Sequence, residues 1–142
     1  MRFGRGSPVW GSRGQSMVEF ALILPIFILV TIGVIDFGRA FWYYNEIGNA
    51  VREGARVATY DQNITNIKNA VVSHTSIGLT ASDVTVTCYD QFTTTTKSCT
   101  GLALGDGVKV SASKLFYPIT GQVVQLVGSS INITNSSMRS VQ

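Results

Sequence analysis

Few side chains in this sequence could do chemistry, and Glu19 is the hardest of them to place. It stands at the start of a greasy run: from Phe20 to Ile35 there is no charged residue, and counted from Met17 the only charge is Glu19 itself. As a helix, Met17 to Ile35 would reach about 29 Å at ~1.5 Å per residue, close to the ~30 Å of a bilayer core. A carboxylate near the buried start of such a helix costs on the order of 1 to 3 kcal/mol, so it is expected to have a partner and a purpose. The remaining reactive groups are sparse. Cys88 and Cys99 are the two cysteines and His74 is the single histidine. A nucleophile needs a base within reach, and one histidine without a nucleophile-elbow pattern does not supply one, so the sequence is not read as an enzyme. Two cysteines and one histidine also fall short of the four ligands of a structural zinc site, and no metal or cofactor is expected.

Charge distribution narrows the function classes further. The formal net charge of +3 is carried entirely by Arg2, Arg5 and Arg13, because residues 15–142 hold equal numbers of basic and acidic side chains. A nucleic-acid footprint needs a clustered basic surface, which this neutral remainder lacks, so no nucleic-acid partner is expected. Three arginines just before an apolar run follow the positive-inside pattern. They place the N-terminus in the cytoplasm and everything after Ile35 on the exported side of an inner (cytoplasmic) membrane. In an exported domain a Cys88–Cys99 disulfide is favoured over two unpaired thiols.

The elements that position these groups can be read from periodicity. Residues 1–14 are rich in Gly, Arg and Ser and read as a disordered cytoplasmic leader. A helix begins near Gln15, is expected to bend at Pro25, and outlives the membrane to about Tyr60. Its later part is amphipathic, with Ile47, Ala50, Val51, Gly54 and Ala58 at helical spacing. The aromatic cluster Phe37, Phe41, Trp42, Tyr43 and Tyr44 fits an interfacial belt. Ala50, Gly54 and Ala58 put a small residue at every fourth position, which lets either the protein's own sheet or a neighbour's helix approach closely. Asp61 to Asn63 reads as a break and Ile64, Ile67 and Val71 as a short second helix to about His74. The period then switches to two, predicting half-buried strands around Val84–Cys88, Val108–Val110 and Ile131–Ile133. Gly105-Asp106-Gly107 reads as a turn, Thr93 to Thr96 as an exposed loop, and Gln122 to Val127 is too short to choose between helix and strand. The expected fold is α+β: one long N-terminal helix over 15–60, then an exported domain over 61–142 with a short second helix and a small antiparallel sheet of three or four strands.

Gly14, four further residues and then Glu19-Phe20 resembles the cleavage and assembly signal of type IV pilins and pseudopilins. The continuation is more specific. Val18-Glu19-Phe20-Ala21-Leu22, Pro25, Asp36-Phe37-Gly38-Arg39 and Ala50-Val51-Arg52-Glu53-Gly54-Ala55-Arg56 together are similar to the TadE-like minor pseudopilins of tight-adherence pili. That resemblance implies cleavage between Gly14 and Gln15 by a prepilin peptidase. It also implies an assembly role for Glu19, Phe20 and Pro25, and partnership with other pilin and pseudopilin subunits and the inner-membrane assembly platform. A product running from Gln15 to Gln142 has the size of a minor subunit, not of the much shorter major pilins. Cleavage would make Gln15 an N-terminal cation at the membrane edge, and Glu19, one helical turn along, is its natural counter-charge. Two other readings remain: an unprocessed single-pass anchor whose exported domain binds an envelope or surface partner, and secretion with cleavage after Ala40, which Arg39 and the overlong apolar run disfavour.

Overall fold

The computed structural model describes residues 12–91, 95–124 and 130–142. Helix α1, Ser12–Val57, runs without interruption through Pro25. At ~1.5 Å per residue it is about 69 Å long, more than twice a bilayer core. Pro25 has no N–H, so the Ala21 carbonyl one turn earlier lacks its intrahelical donor. The first half of α1 is bare: residues 14–31 are all exposed, and the helix enters a protein core only from Asp36 onward. The helix ends at Val57 with a hydrogen-bonded turn to Tyr60, in which the amides of Tyr60 and Asp61 both donate to the Val57 carbonyl.

Helix α2, Ile64–Ser73, starts where Asp61 and Asn63 organise the chain. The Asn63 side chain accepts from the Thr65 amide at 2.9 Å, a standard N-cap, and Asp61 accepts from the Asn63 amide and the Asn66 side chain. These donors hold the Asp61 carboxyl below its ordinary range, the Asn63 amide contributing most. Strands β1 (Val84–Tyr89), β2 (Thr96–Lys97), β3 (Gly107–Phe116) and β4 (Ile131–Ser140) form one antiparallel sheet in the order β2-β1-β3-β4. A further helix, α3 (Ile119–Val124), follows β3 across Tyr117-Pro118.

One face of the sheet packs on α1 and α2. Val84 and Cys88 of β1 stand opposite Ala112 and Val108 of β3, and all four are buried with Val110 against Ile47, Ala50, Val51, Ala55 and Ala58 of α1 and Ile67 and Val71 of α2. This helix-on-sheet layer is the expected α+β fold. Strand β4 runs alongside α1 in the same direction. Asn135 donates to the Tyr44 carbonyl midway along it, and the Gln142 amide donates to the Thr59 carbonyl just past its end.

The structure adds to the sequence reading in three places. Thr96 and Lys97 form a short strand paired with Cys88 and Tyr89, so the segment between the cysteines is tied to the sheet, whereas an exposed loop was expected; residues 92–94 lie outside the described set. The Gln122–Val127 stretch begins inside α3, and its residues 125–127 lie outside the described set, as do residues 1–11 of the leader. Among the described residues the helix already includes Ser12, ahead of the expected boundary near Gln15.

Candidate assembly and anchoring site

Gly14, Gln15, Glu19, Phe20 and Pro25 all lie on the bare half of α1 and are exposed. The Gln15 side-chain amide donates to Glu19 Oε1 at 3.2 Å, so residues one turn apart already meet on a single helix face. Phe20, Ile23, Leu24 and Phe27 line a shallow apolar groove beside it. The helix is long and apolar enough to cross a membrane from Gly14 onward, and none of its most apolar 18-residue window is buried in protein. A bare apolar surface of this length in water would be strongly unfavourable, whereas in lipid it is matched.

The Gly14–Gln15 peptide bond lies within α1.

Asp36 marks the junction between the bare and the packed halves of α1, and it was quoted from the sequence only as part of a motif. The residue is 5% exposed. Oδ2 accepts from the Thr120 amide at 2.7 Å and from Thr120 Oγ1 at 2.8 Å, and Oδ1 accepts from Arg39 Nη1 at 3.1 Å. The Arg39 guanidinium lies over the Phe116 ring, 5.1 Å from its centroid, and Phe116 meets Tyr43 edge-on at 5.4 Å. Together these contacts fix α3 and the end of β3 to the helix directly after the apolar run. The signal available in sequence was an acid flanked by apolar residues, with nothing to name its partner 84 positions away.

The small-residue stripe packs inside the chain's own fold. Ala50, Gly54 and Ala58 are buried against α2 and the sheet. A Cβ placed on Gly54 would overlap Val71 Cγ2 and would come within 3.4 Å of Val110 Cγ1. The neighbouring motif residues serve the same contact from outside: Glu53 pairs with Arg56, whose guanidinium lies over Tyr60 at 5.9 Å, and His74, at the end of α2, stands 3.8 Å from Glu53.

At the other end of the head domain, Cys88 and Cys99 are joined by a disulfide with Cα atoms 5.3 Å apart. Next to it Asp106, read from sequence as a turn residue, is almost completely buried. It pairs with Lys97 Nζ and accepts from the Ala103 amide at 2.7 Å and the Gln91 amide at 3.3 Å. Lys97 above all, then the Ala103 amide, holds its carboxyl below the ordinary range. Gly105, at φ +92°, adopts a left-handed conformation that glycine takes without strain, which lets the chain turn into this acid. Among the described residues no group of three or more His, Cys, Asp or Glu side chains is placed to hold a metal ion.

A family model described as TadE-like protein matches residues 14–56, from the glycine before Gln15 almost to the end of α1 at Val57. Helix α2 and the sheet lie outside that match. No curated protein and no solved structure matches the chain.

Proposed function

We propose that this chain, with its TadE-like N-terminal segment, is a structural minor pseudopilin: a membrane-anchored subunit used in assembly or initiation of a tight-adherence pilus. The observation that carries the proposal is the division of α1. Its first half is bare and apolar from Gly14 to Ile35, with Glu19 as its one charge, while its second half is the backbone of a folded head domain. A prepilin peptidase would cut between Gly14 and Gln15. The new amine then lies ~6 Å along the helix axis from Glu19, within reach in one subunit or across to a neighbour. An unpaired carboxylate in an apolar helix bundle is strongly disfavoured, so pairing across subunits would set the axial register of packed helices. Arg2, Arg5 and Arg13 orient the anchor with its N-terminus in the cytoplasm of an inner membrane, leaving the head exported. The other pilin and pseudopilin subunits and the assembly platform are the expected partners.

One observation favours a second reading, an unprocessed single-pass anchor whose head binds an envelope or surface partner. Helix α1 includes the Gly14–Gln15 bond, which must unwind before it can be cut. The N-terminus of the chain recovered from membranes and from sheared filaments, determined by mass spectrometry, separates the two. A chain beginning at Gln15 supports the pseudopilin; retention of Met1 in assembled pili overturns it.

A further inference from the structure

Asp36 follows Ile35, the last residue of the apolar run, and both its contacts to Thr120 are short: 2.7 Å to the amide and 2.8 Å to the hydroxyl. Whatever level Ile35 occupies, α3 occupies it too. Strand β4 then climbs away along α1, so the end of the sheet that carries Phe116 and Ile131 is the part held beside the end of that run. That end exposes apolar side chains on both faces of the sheet, since Ile131 pairs with Phe116 while Leu115 points to the opposite side. Leu115, Tyr117, Ile119 and Ile131 are 51%, 53%, 40% and 49% exposed, although each is a large hydrophobic side chain. On α1 at the same level Phe37 and Phe41 are exposed as well. Farther along β4 the residues turn polar, Thr134 to Ser137 being Thr, Asn, Ser and Ser.

From this geometry we propose that the β3–α3–β4 end of the head is a membrane-contacting foot, resting on the outer surface of the bilayer that α1 crosses. The proposal rests on the membrane-anchored reading above. The occupant is lipid because the surface continues directly from the apolar run: a patch hydrogen-bonded to the residue where the hydrocarbon core ends lies at the headgroup boundary. Tyr117, with an apolar ring and a polar tip, suits that boundary. The foot also limits how the head pivots on its helix, because the Asp36–Thr120 contacts and the lipid contact restrain the same short segment. Release of the subunit into a filament would then require the foot to leave lipid, with Leu115, Tyr117, Ile119 and Ile131 transferred to water or to a neighbouring subunit.

The test is nitroxide depth measurement on the full chain, with its native disulfide oxidised, in phosphatidylcholine–phosphatidylglycerol vesicles. Single labels are placed through Tyr117→Cys, Ile119→Cys and Ile131→Cys at the foot, Val30→Cys in the apolar run and Met138→Cys near the far end of β4. Each replaces an exposed side chain, and circular dichroism of every variant confirms the fold. The expected result is that the foot labels lie about 5 Å below the phosphates, with a collision ratio of oxygen to a water-soluble nickel complex roughly threefold above that of the Met138 position. Foot labels as water-exposed as the Met138 label, with the Val30 label deep in lipid, overturn the foot and leave the anchor standing. A water-exposed Val30 label overturns both. Foot labels exposed in vesicles yet shielded in assembled filaments assign the patch to a neighbouring subunit and overturn the lipid assignment.

Discussion

Gly54→Ala puts two effects of known size in opposition. On an exposed helix, replacing glycine by alanine stabilises by about 1 kcal/mol through backbone entropy. Gly38 provides that case, because a Cβ there meets nothing within 4 Å. At Gly54 the added methyl overlaps Val71 Cγ2, and Val71 is fully buried with a β-branched side chain that has one strongly preferred rotamer in a helix. Relief therefore requires α2 to move from α1. Overpacking of this kind costs about 1 to 3 kcal/mol, and taking the middle of that range, the net change is a loss of about 1 kcal/mol. Val71→Ala alone removes buried methyl groups and costs about 2 kcal/mol. In the double variant the alanine methyl of residue 54 occupies the space that Val71 vacates, so the two changes should couple favourably by about 1 to 2 kcal/mol. Urea unfolding of the full chain in micelles, with the disulfide intact, measures all four corners. A Gly54→Ala variant as stabilised as Gly38→Ala, or a cycle with no coupling, would refute the packing of this stripe against α2 and return it to the surface offered to a neighbour's helix.

Glu19→Gln keeps size and hydrogen bonding but removes the charge. It should insert into the membrane at least as well as the native chain, since the carboxylate is the costlier group to bury, while its share in sheared filaments falls clearly. Wild-type piliation and incorporation would sink that role. Replacing Cys88 and Cys99 by serine should lower stability by about 2 to 3 kcal/mol, read as an earlier urea midpoint, and thiol alkylation of the native chain should need reductant. For pH, Asp106 is held below its ordinary range in the folded state, so its contribution is fully present above the unfolded carboxylate value near ~4 and is lost as pH falls through the lower folded value. Unfolding midpoints of the native chain should drop on acidification below about pH 4. The drop should be smaller for Asp106→Asn, which lacks that carboxylate; equal slopes for the two proteins would show that Asp106 does not contribute.

Much of the architecture was legible because it depends on local periodicity. The apolar run, its charge asymmetry and the position of Glu19 are properties of consecutive residues, and so is the switch to period two at Val84, where inward Val and Cys alternate with Thr and Tyr. The cap at Asn63 and the break before it follow from side-chain chemistry within three residues. What the sequence left open depended on distant partners. The stripe of Ala50, Gly54 and Ala58 announces a close approach of backbones, but only the packed molecule shows that Val71 and Val110 fill the opposing space. Asp36 and Asp106 look alike in sequence to any surface acid. Their burial follows from donors supplied elsewhere in the chain, Thr120 for one and Lys97, Ala103 and Gln91 for the other, because a buried carboxylate is tolerated only where folding brings such donors to it. Sequence thus determined that a long apolar helical run with one charge near its start precedes an α+β domain. Tertiary structure decided how the sheet and α3 are fastened to the long helix, since that depends on contacts between residues as far apart as Asp36 and Thr120.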